Sequence, residues 1–473
     1  MRNDYLDNFF IKCIYIFVGF AIATIIYFLS KVGLKQSYST FILAFICFSS
    51  LYLWRENKYI KQLPYLVFGI TLVILFNTIY KLYLSYQSIP VWDFMCFYFF
   101  GKAGVSGANF YDPHVFSNVF NELNSNIYVN QGFIQEIVNV GFWYPAPSMF
   151  LFLPLGILPL QTGHIIWQSI LILFLFLDIA LLLKMYYVSA PHEEKIRRIP
   201  WIFLLSLILL FPSMVGSIQI GQTVPIFLFL MLLVIKNQNN WKCGVLLALM
   251  VIIKPLAILF ALHLFIIKNW KGLLSFVLVG LALSGISMIF FGLDTFFAFF
   301  KSPPTGRIPI EVFYENSNQS LHAVILRLQF RIFGIVNFKT ANVITYILSS
   351  IILIISIFSS LVSKKNRSVA FLVFIPMTLL IYPNTLGSYL IITMPSVLFF
   401  YHYRFFKKDA MNLILLFALF GIASLSFFFL NLVLWILYLS ITLLPRYFVF
   451  GKSKIKPRLS KKEMFTQSVA SYE

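Results

Sequence analysis

Apolar runs of roughly 15 to 25 residues recur along the whole chain, the length that a helix needs to cross a bilayer. They fall at 9–29, 39–54, 63–84, 163–184, 200–216, 218–235, 272–291, 340–362, 368–382, 388–402, 410–428 and 430–445. Short polar breaks separate them, and strand-like alternation is not a feature of the pattern. The pattern predicts an all-α polytopic membrane protein, a multi-helix bundle of about 12 spans. The first run lacks a small-residue cleavage site and is followed by more spans, so it reads as a retained helix.

Two intervals are too long to be simple connectors: residues 85–145 and 292–339. Long loops in compact proteins are usually functional. Composition adds a direction. Apolar residues make up 60% of the 473 positions and charged residues 11%, against about a quarter charged in soluble domains. The net charge of +20 would suit nucleic acid, but the basic residues sit in short loops beside apolar runs. They are Arg55, Lys58 and Lys61; Lys195, Arg197 and Arg198; Lys364, Lys365 and Arg367; and Arg404, Lys407 and Lys408. A basic tail, 446–473, continues with Lys452, Lys454, Lys456, Arg458, Lys461 and Lys462. This is the positive-inside pattern. Threading from either end places both long loops on the extracytoplasmic face and the tail in the cytoplasm, next to anionic lipid heads. The expected location is the cell inner (plasma) membrane, multi-pass, with the chain 1–473 as one transmembrane domain without internal repeat.

The middle of the chain reads two ways. Segment 146–160, flanked and interrupted by Pro145, Pro147, Pro154 and Pro159, is short for a span. As a re-entrant segment it leaves the basic loop 185–199 inside, which the charge rule favours; as a crossing it needs one broken helix around Lys254-Pro255.

The candidate chemistry is sparse. Cys13, Cys47, Cys96 and Cys243 form no CxxC pair, so neither a disulfide framework nor a thiolate site is expected. Walker, GxGxxG, HExxH and GxSxG motifs are missing from the sequence. What remains is polar residues at helix ends. Asp93 follows a long apolar helix and reads either as a helix N-cap or as a catalytic carboxylate. The first loop also offers Lys102, Asn109, Tyr111, Asp112, Glu122, Glu136, Trp143 and Tyr144. Tyr111 and Tyr144 can stack on a sugar face, although aromatic residues also form the ordinary interfacial belt. Tyr111-Asp112-Pro113 is most simply a turn. The second loop offers Glu311, Glu315, Asn316, Asn318, Gln319, Ser320, His322, Arg327 and Arg331. Asn318-Gln319-Ser320 matches a glycosylation sequon, a pattern common by chance. Arg327 reads as a snorkelling interfacial cation or as a ligand for an anion. Within apolar runs stand Gln222 at a helix junction, Lys254 before Pro255, and Asp178, read as pairing with Lys184 or lying at the headgroups. A lysine deep in a membrane helix costs a few kcal/mol and is a functional candidate by default.

Taken in order, these stretches resemble glycosyltransferase family 87, a branch of the GT-C superfamily of polyprenyl-phosphate-sugar-dependent transferases. The resemblance is carried by Asp93-Phe94 with Gly107 and Tyr111-Asp112-Pro113; by Tyr144-Pro145-Ala146-Pro147 with Pro154-Leu155; by Gly221-Gln222; by Lys254-Pro255; and by Asn318-Gln319-Ser320-Leu321 with Arg327. They span residues 93 to 327, about half of the chain. One departure stands out. Members often carry a proline-led motif ending in histidine, whereas Tyr382-Pro383-Asn384-Thr385-Leu386-Gly387-Ser388-Tyr389 has none.

The resemblance implies an integral membrane hexosyltransferase with a GT-C-type bundle. It would move a hexosyl unit, mannosyl by the family's commonest theme, from a polyprenyl-phosphate sugar to a glycolipid or polysaccharide acceptor, with inversion. The residue types suit that chemistry. One carboxylate, Asp93, can take the acceptor proton. The departing phosphate needs cations, for which Arg327 and Lys254 are the candidates. Tyr111, Tyr144, Gln222, Asn318, Gln319 and His322 are the expected substrate-binding residues. No cofactor is expected, and no carboxylate cluster demands a metal, although some GT-C relatives use one. Two other readings compete. A polysaccharide or lipid-linked sugar flippase should show an internal repeat and short external loops. An O-antigen polymerase or ligase should carry its largest loop late in the chain, whereas here the largest comes early.

Overall fold

The computed structural model describes residues 63–87, 92–107, 109–112, 144–189, 201–211, 213–301, 318–363, 367–400 and 426–443, with shorter pieces at 15–24 and at scattered positions between. Trp143, Glu122, Glu136, Glu311, Glu315, Asn316, the runs 39–54 and 410–428 in the main, and the tail 446–473 lie outside the described residues.

The described residues are helical almost throughout. They form α1 Leu63–Gln87, α2 Trp92–Val105, α3 Met149–Ile157, α4 Leu160–Ser189, α5 Trp201–Leu210, α6 Val224–Lys236, α7 Lys242–Ile253, α8 Phe260–Ile266, α9 Trp270–Phe291, α10 Leu293–Lys301, α11 Leu321–Phe333, α12 Phe338–Val362, α13 Arg367–Ile381, α14 Met394–Phe400 and α15 Phe427–Leu443. Among them is one isolated antiparallel bridge, Asn318 to Leu386. Four helices are long and apolar enough to cross a membrane: Pro64–Gln87, Leu160–Tyr187, Trp270–Phe291 and Phe338–Val362. Together with the shorter apolar helices around them, they make this a membrane protein.

The apolar runs map onto helices where they are uninterrupted, and break where proline or glycine intervenes. The run expected at 218–235 is broken: a helical turn at Gly216–Gln219 stops before Gly221, and the longer helix begins at Val224, with Pro225 in its first turn and Thr223 before it. Residues 241–271 split into α7 and α8 because Lys254 adopts an extended backbone ahead of Pro255 (φ −148°, ψ 115°). That follows from the clash of a proline ring with a helical preceding residue. Segment 146–160 becomes a 3-10 turn at Ala146–Ser148 and the nine-residue α3. Nine residues rise only about 14 Å, half the hydrocarbon thickness.

α2 packs most extensively against α3. The contact is backbone to backbone, since a Cβ on Gly101 would fall on the Phe152 carbonyl and one on Gly156 would fall on the Gly101 carbonyl group. Around this crossing lies an aromatic core. Phe97 stacks on Phe152 with centroids 4.6 Å apart, and Phe100 meets Phe142 edge-on at 4.9 Å. Such pairs add about 0.5–1.5 kcal/mol each beyond burial. α2 is therefore held rigidly, and with it the residues of its first turn.

Asp178 departs from expectation. It is buried on α4, and neither carboxylate oxygen has a hydrogen-bond partner among the described residues. The expected pairing with Lys184 does not form, because six residues along a helix turn the two side chains to different faces, about 120° apart.

Candidate active site

Asp93 is the second residue of α2, in its first turn rather than at the cap. A carboxylate is favoured there by the free N–H groups of the helix start. Its side chain meets Gln222, which hydrogen-bonds to it. Gln222 reaches Asp93 because of the residue before it. Gly221 has φ +81°, and a Cβ there would lie 2.8 Å from the Phe94 Cβ. Only glycine adopts that conformation at little cost and permits that approach. The Gly221 carbonyl is fixed in turn by Trp167 of α4, whose Nε1 donates to it at 2.7 Å. His164, one turn earlier on α4, packs its ring 4.9 Å from Phe94.

Lys254 completes the cluster. Its ammonium is buried and donates to Gln222 Oε1 at 3.3 Å and to the Tyr389 hydroxyl at 2.8 Å. Since an ammonium can only donate, it fixes the Gln222 amide: Oε1 faces Lys254 and Nε2 is left to donate to Asp93. Lys254 Nζ also lies 4.0 Å from the Tyr389 ring centroid, close enough for cation–π attraction. The end of α7 is tied down beside it, where Ser148 Oγ donates to the Ile252 carbonyl at 2.5 Å. That carbonyl lost its helical partner when the helix ended.

Asp93 is partly accessible, although protein surrounds its carboxyl. Burial raises its pKa, and the Lys254 charge and the Gln222 hydrogen bond pull it back, leaving it at about 6. Such a carboxylate is ionised at neutral pH yet more basic than an ordinary aspartate.

A second cluster holds the other expected residues. Asn318 is buried; its Nδ2 donates to the Pro383 carbonyl at 3.1 Å, and its Oδ1 accepts from the Ser320 N–H at 3.1 Å. The sequon asparagine is thus committed inside the fold. Ser320 caps α11, accepting from the Ala323 N–H at 3.2 Å and donating to the Pro383 carbonyl at 2.8 Å. The Gln319 N–H donates to the Thr385 carbonyl at 2.7 Å, and its Oε1 accepts from Ser426 and from the Phe428 N–H, both at 3.3 Å. Arg327 Nη1 donates to the Asn318 carbonyl at 2.7 Å. His322 Nε2 meets Asn342 Oδ1 of α12 at 2.8 Å. Burial lowers the pKa of both His322 and Arg327.

The two clusters are joined through one short segment. Asn318 bridges to Leu386, and three residues later Tyr389 receives Lys254. The structure therefore brings Asp93, Gln222 and Lys254 together, and ties Asn318 and Gln319, with Arg327 bonded to Asn318, to residues 383–386 of the segment that carries Tyr389. Tyr144 and Tyr382 lie close enough to Tyr389 to act on it electrostatically. Tyr111 is buried in the aromatic core, its hydroxyl donating to the Tyr144 carbonyl at 2.7 Å and its N–H to Asn109 Oδ1 at 3.0 Å. Asp112 Oδ1 accepts from the His114 N–H at 2.9 Å, an Asx turn. Among the described residues, no three His, Cys, Asp or Glu side chains converge as a metal-binding group would require.

Sequence reasoning passed over Tyr389, Ser148 and Trp167. The available signal was weak, since a tyrosine or tryptophan near the end of an apolar run looks like any interfacial aromatic.

A family model described as Glycosyltransferase family 87 matches residues 142–394, more than half of the chain. The match covers Gln222, Lys254, Asn318, Arg327 and Tyr389, and Asp93 enters the site from outside it. No curated protein and no solved structure matches the chain.

Proposed function

Since the chain belongs to glycosyltransferase family 87, we propose that this glycosyltransferase moves a hexosyl unit, mannosyl in our reading, from a polyprenyl-phosphate sugar to a glycolipid or polysaccharide acceptor. The transfer inverts the anomeric centre and takes place on the extracytoplasmic face of the inner membrane. The observation that carries the reading is the buried chain of contacts from Asp93 through Gln222 to Lys254.

In this mechanism the Asp93 carboxylate takes the proton of the acceptor hydroxyl. The oxygen attacks the anomeric carbon from the face opposite the phosphate. The bond from that carbon to the phosphate oxygen breaks, and its electron pair leaves with the lipid phosphate, which gains one negative charge. Lys254 answers that charge. An ammonium has three N–H donors, and Gln222 and Tyr389 take two of them. The third is available to a phosphate oxygen, in a desolvated setting where such a bond is strong. Arg327, beside Asn318, is the second cation in this reading.

The carrier's tail has a fitting neighbour. A cavity of about 140 Å³, lined by Pro145, Pro147, Val251, Ile252, Phe276 and Phe299 among others, opens between α7, α9 and α10. Its lining includes Ile252, two residues before Lys254 in the chain, and in this reading an isoprene chain there holds the donor beside the segment that carries the ammonium. α9 exposes Leu274, Leu278, Leu281 and Ile289 along its length, as a helix facing lipid would.

The test is transfer by the purified protein from a polyprenyl-phosphate sugar and, separately, from a nucleotide sugar. Product from the lipid-linked donor alone supports the reading. Product from the nucleotide sugar alone overturns it, along with the roles given to Lys254 and Arg327.

A further inference from the structure

We propose that Tyr389 is a positioning residue that holds the Lys254 ammonium away from Asp93, so that Asp93 stays free to act as a base and Lys254 stays free for the donor phosphate. The inference rests on the roles assigned to Asp93 and Lys254 above and adds what keeps them apart. A buried ammonium and a buried carboxylate attract strongly, and a lysine stem has ample freedom to close the gap. Left alone, the two would collapse into a direct ion pair. That pair would cost the site its base and its cation together.

The structure shows the alternative arrangement. Asp93 and Lys254 feel each other's charge without sharing a hydrogen bond. Gln222 stands between them, donating to one and accepting from the other. The Tyr389 hydroxyl also accepts from Lys254 Nζ at 2.8 Å, the shorter of its two hydrogen bonds, and the ring adds its face at 4.0 Å, so the ammonium is held by a second anchor besides Gln222. Tyr389 has little room to follow Lys254 inward. It is buried at the start of a 3-10 turn, Gly387–Thr393. The residues before that turn are sewn to the second loop by the Asn318–Leu386 bridge, by the Gln319 N–H on Thr385, and by Asn318 and Ser320 on Pro383. Ser213 Oγ adds a hydrogen bond to the Gly387 carbonyl at 2.8 Å. The titratable groups acting on the pair are Cys96 from α2, beside Asp93, and Tyr144 and Tyr382, beside Tyr389; the Asp93 charge reaches Tyr389 as well. His164 of α4 packs on Phe94 next to them.

Tyr389→Phe tests this, because it removes the acceptor and keeps the ring and the packing. The expected signature is an acid limb of the rate profile displaced downward by about one pH unit or more, as an opposite charge closing on a carboxylate produces. The KM for the polyprenyl-phosphate donor should rise roughly tenfold, as for a lost hydrogen bond to a charged group. A merely structural role would lower the rate without moving the pH limb. A second measurement needs no turnover. The side-chain carboxyl ¹³C signal of Asp93, assigned with Asp93→Asn, is titrated in the full-length protein and in the Tyr389→Phe variant. A midpoint that drops in the variant supports the proposal, even should the protein prove inactive with a lipid-linked donor, in which case the functional reading alone falls. A midpoint that stays put overturns the proposal, whatever the protein transfers.

Discussion

Gly221 lies so close to Phe94 that a Cβ on the glycine would come within 2.8 Å of the phenylalanine Cβ. This contact seats the turn carrying Gln222 against the first turn of α2, where Asp93 stands. Gly221→Ala must both strain a backbone at φ +81° and push the turn off the helix. A left-handed non-glycine residue costs about 1–2 kcal/mol. The expected result is a folded but less stable protein whose transfer activity falls by more than its stability loss explains. Thermal unfolding and turnover measured on the same preparation separate the two.

Asp93→Asn keeps the shape of the side chain and removes the base. Turnover should fall by about a hundredfold or more, in line with general-base contributions. Asp112→Asn should do far less, because its acceptor oxygen only closes a turn onto the His114 N–H. Single-turnover assays of the two variants side by side check this. Equal activities would remove Asp93 from the chemistry.

The pH profile follows from the carboxyl at about 6. The base must be ionised, so kcat/KM should climb up to that value, while the alkaline side is set by the Lys254 ammonium, which must keep its proton to meet the phosphate. Below the carboxyl's value, kcat/KM should fall tenfold for each unit of pH. An ordinary exposed aspartate would hold its activity down to about 4. A profile flat to that lower value would mean that another group takes the proton.

Sidedness is tested by chemical labelling. His114 and Lys242 are both exposed; His114 follows α2, whose first turn carries Asp93, and Lys242 opens α7, which ends just before Lys254. In a cysteine-free background, His114→Cys should react with a membrane-impermeant thiol reagent in intact cells, and Lys242→Cys only after lysis. The reverse pattern would place the site on the cytoplasmic face.

Much of this was legible in the sequence. The apolar runs at 63–84, 163–184, 272–291 and 340–362 correspond to the four long helices, because uninterrupted apolar stretches have one way to satisfy their backbone in lipid. Asp93, Gln222 and Lys254 stood out for the matching reason: polar groups in apolar surroundings need partners. Which partners they find was not legible. Chemistry groups Arg327 with Lys254, yet Arg327 donates to the Asn318 carbonyl. Tyr389 gives no sign of its contact with Lys254, because the two stand 135 positions apart in the chain, beyond the reach of any local rule. The sequence pairs Asp178 with Lys184 or sets it at the headgroups, and only the packing of α4 shows it buried.

The most direct test of the account is a structure of the Asp93→Asn protein with a polyprenyl-phosphate sugar bound, the substitution stalling transfer. The account predicts a phosphate oxygen within about 3 Å of Lys254 Nζ, the distance of a charge-assisted hydrogen bond. It also predicts the side chain at position 93 on the opposite face of the sugar's anomeric carbon, and the first isoprene units in the cavity beside Ile252 and Phe276. Density for the phosphate away from Lys254, or position 93 on the same face as the phosphate, would contradict it.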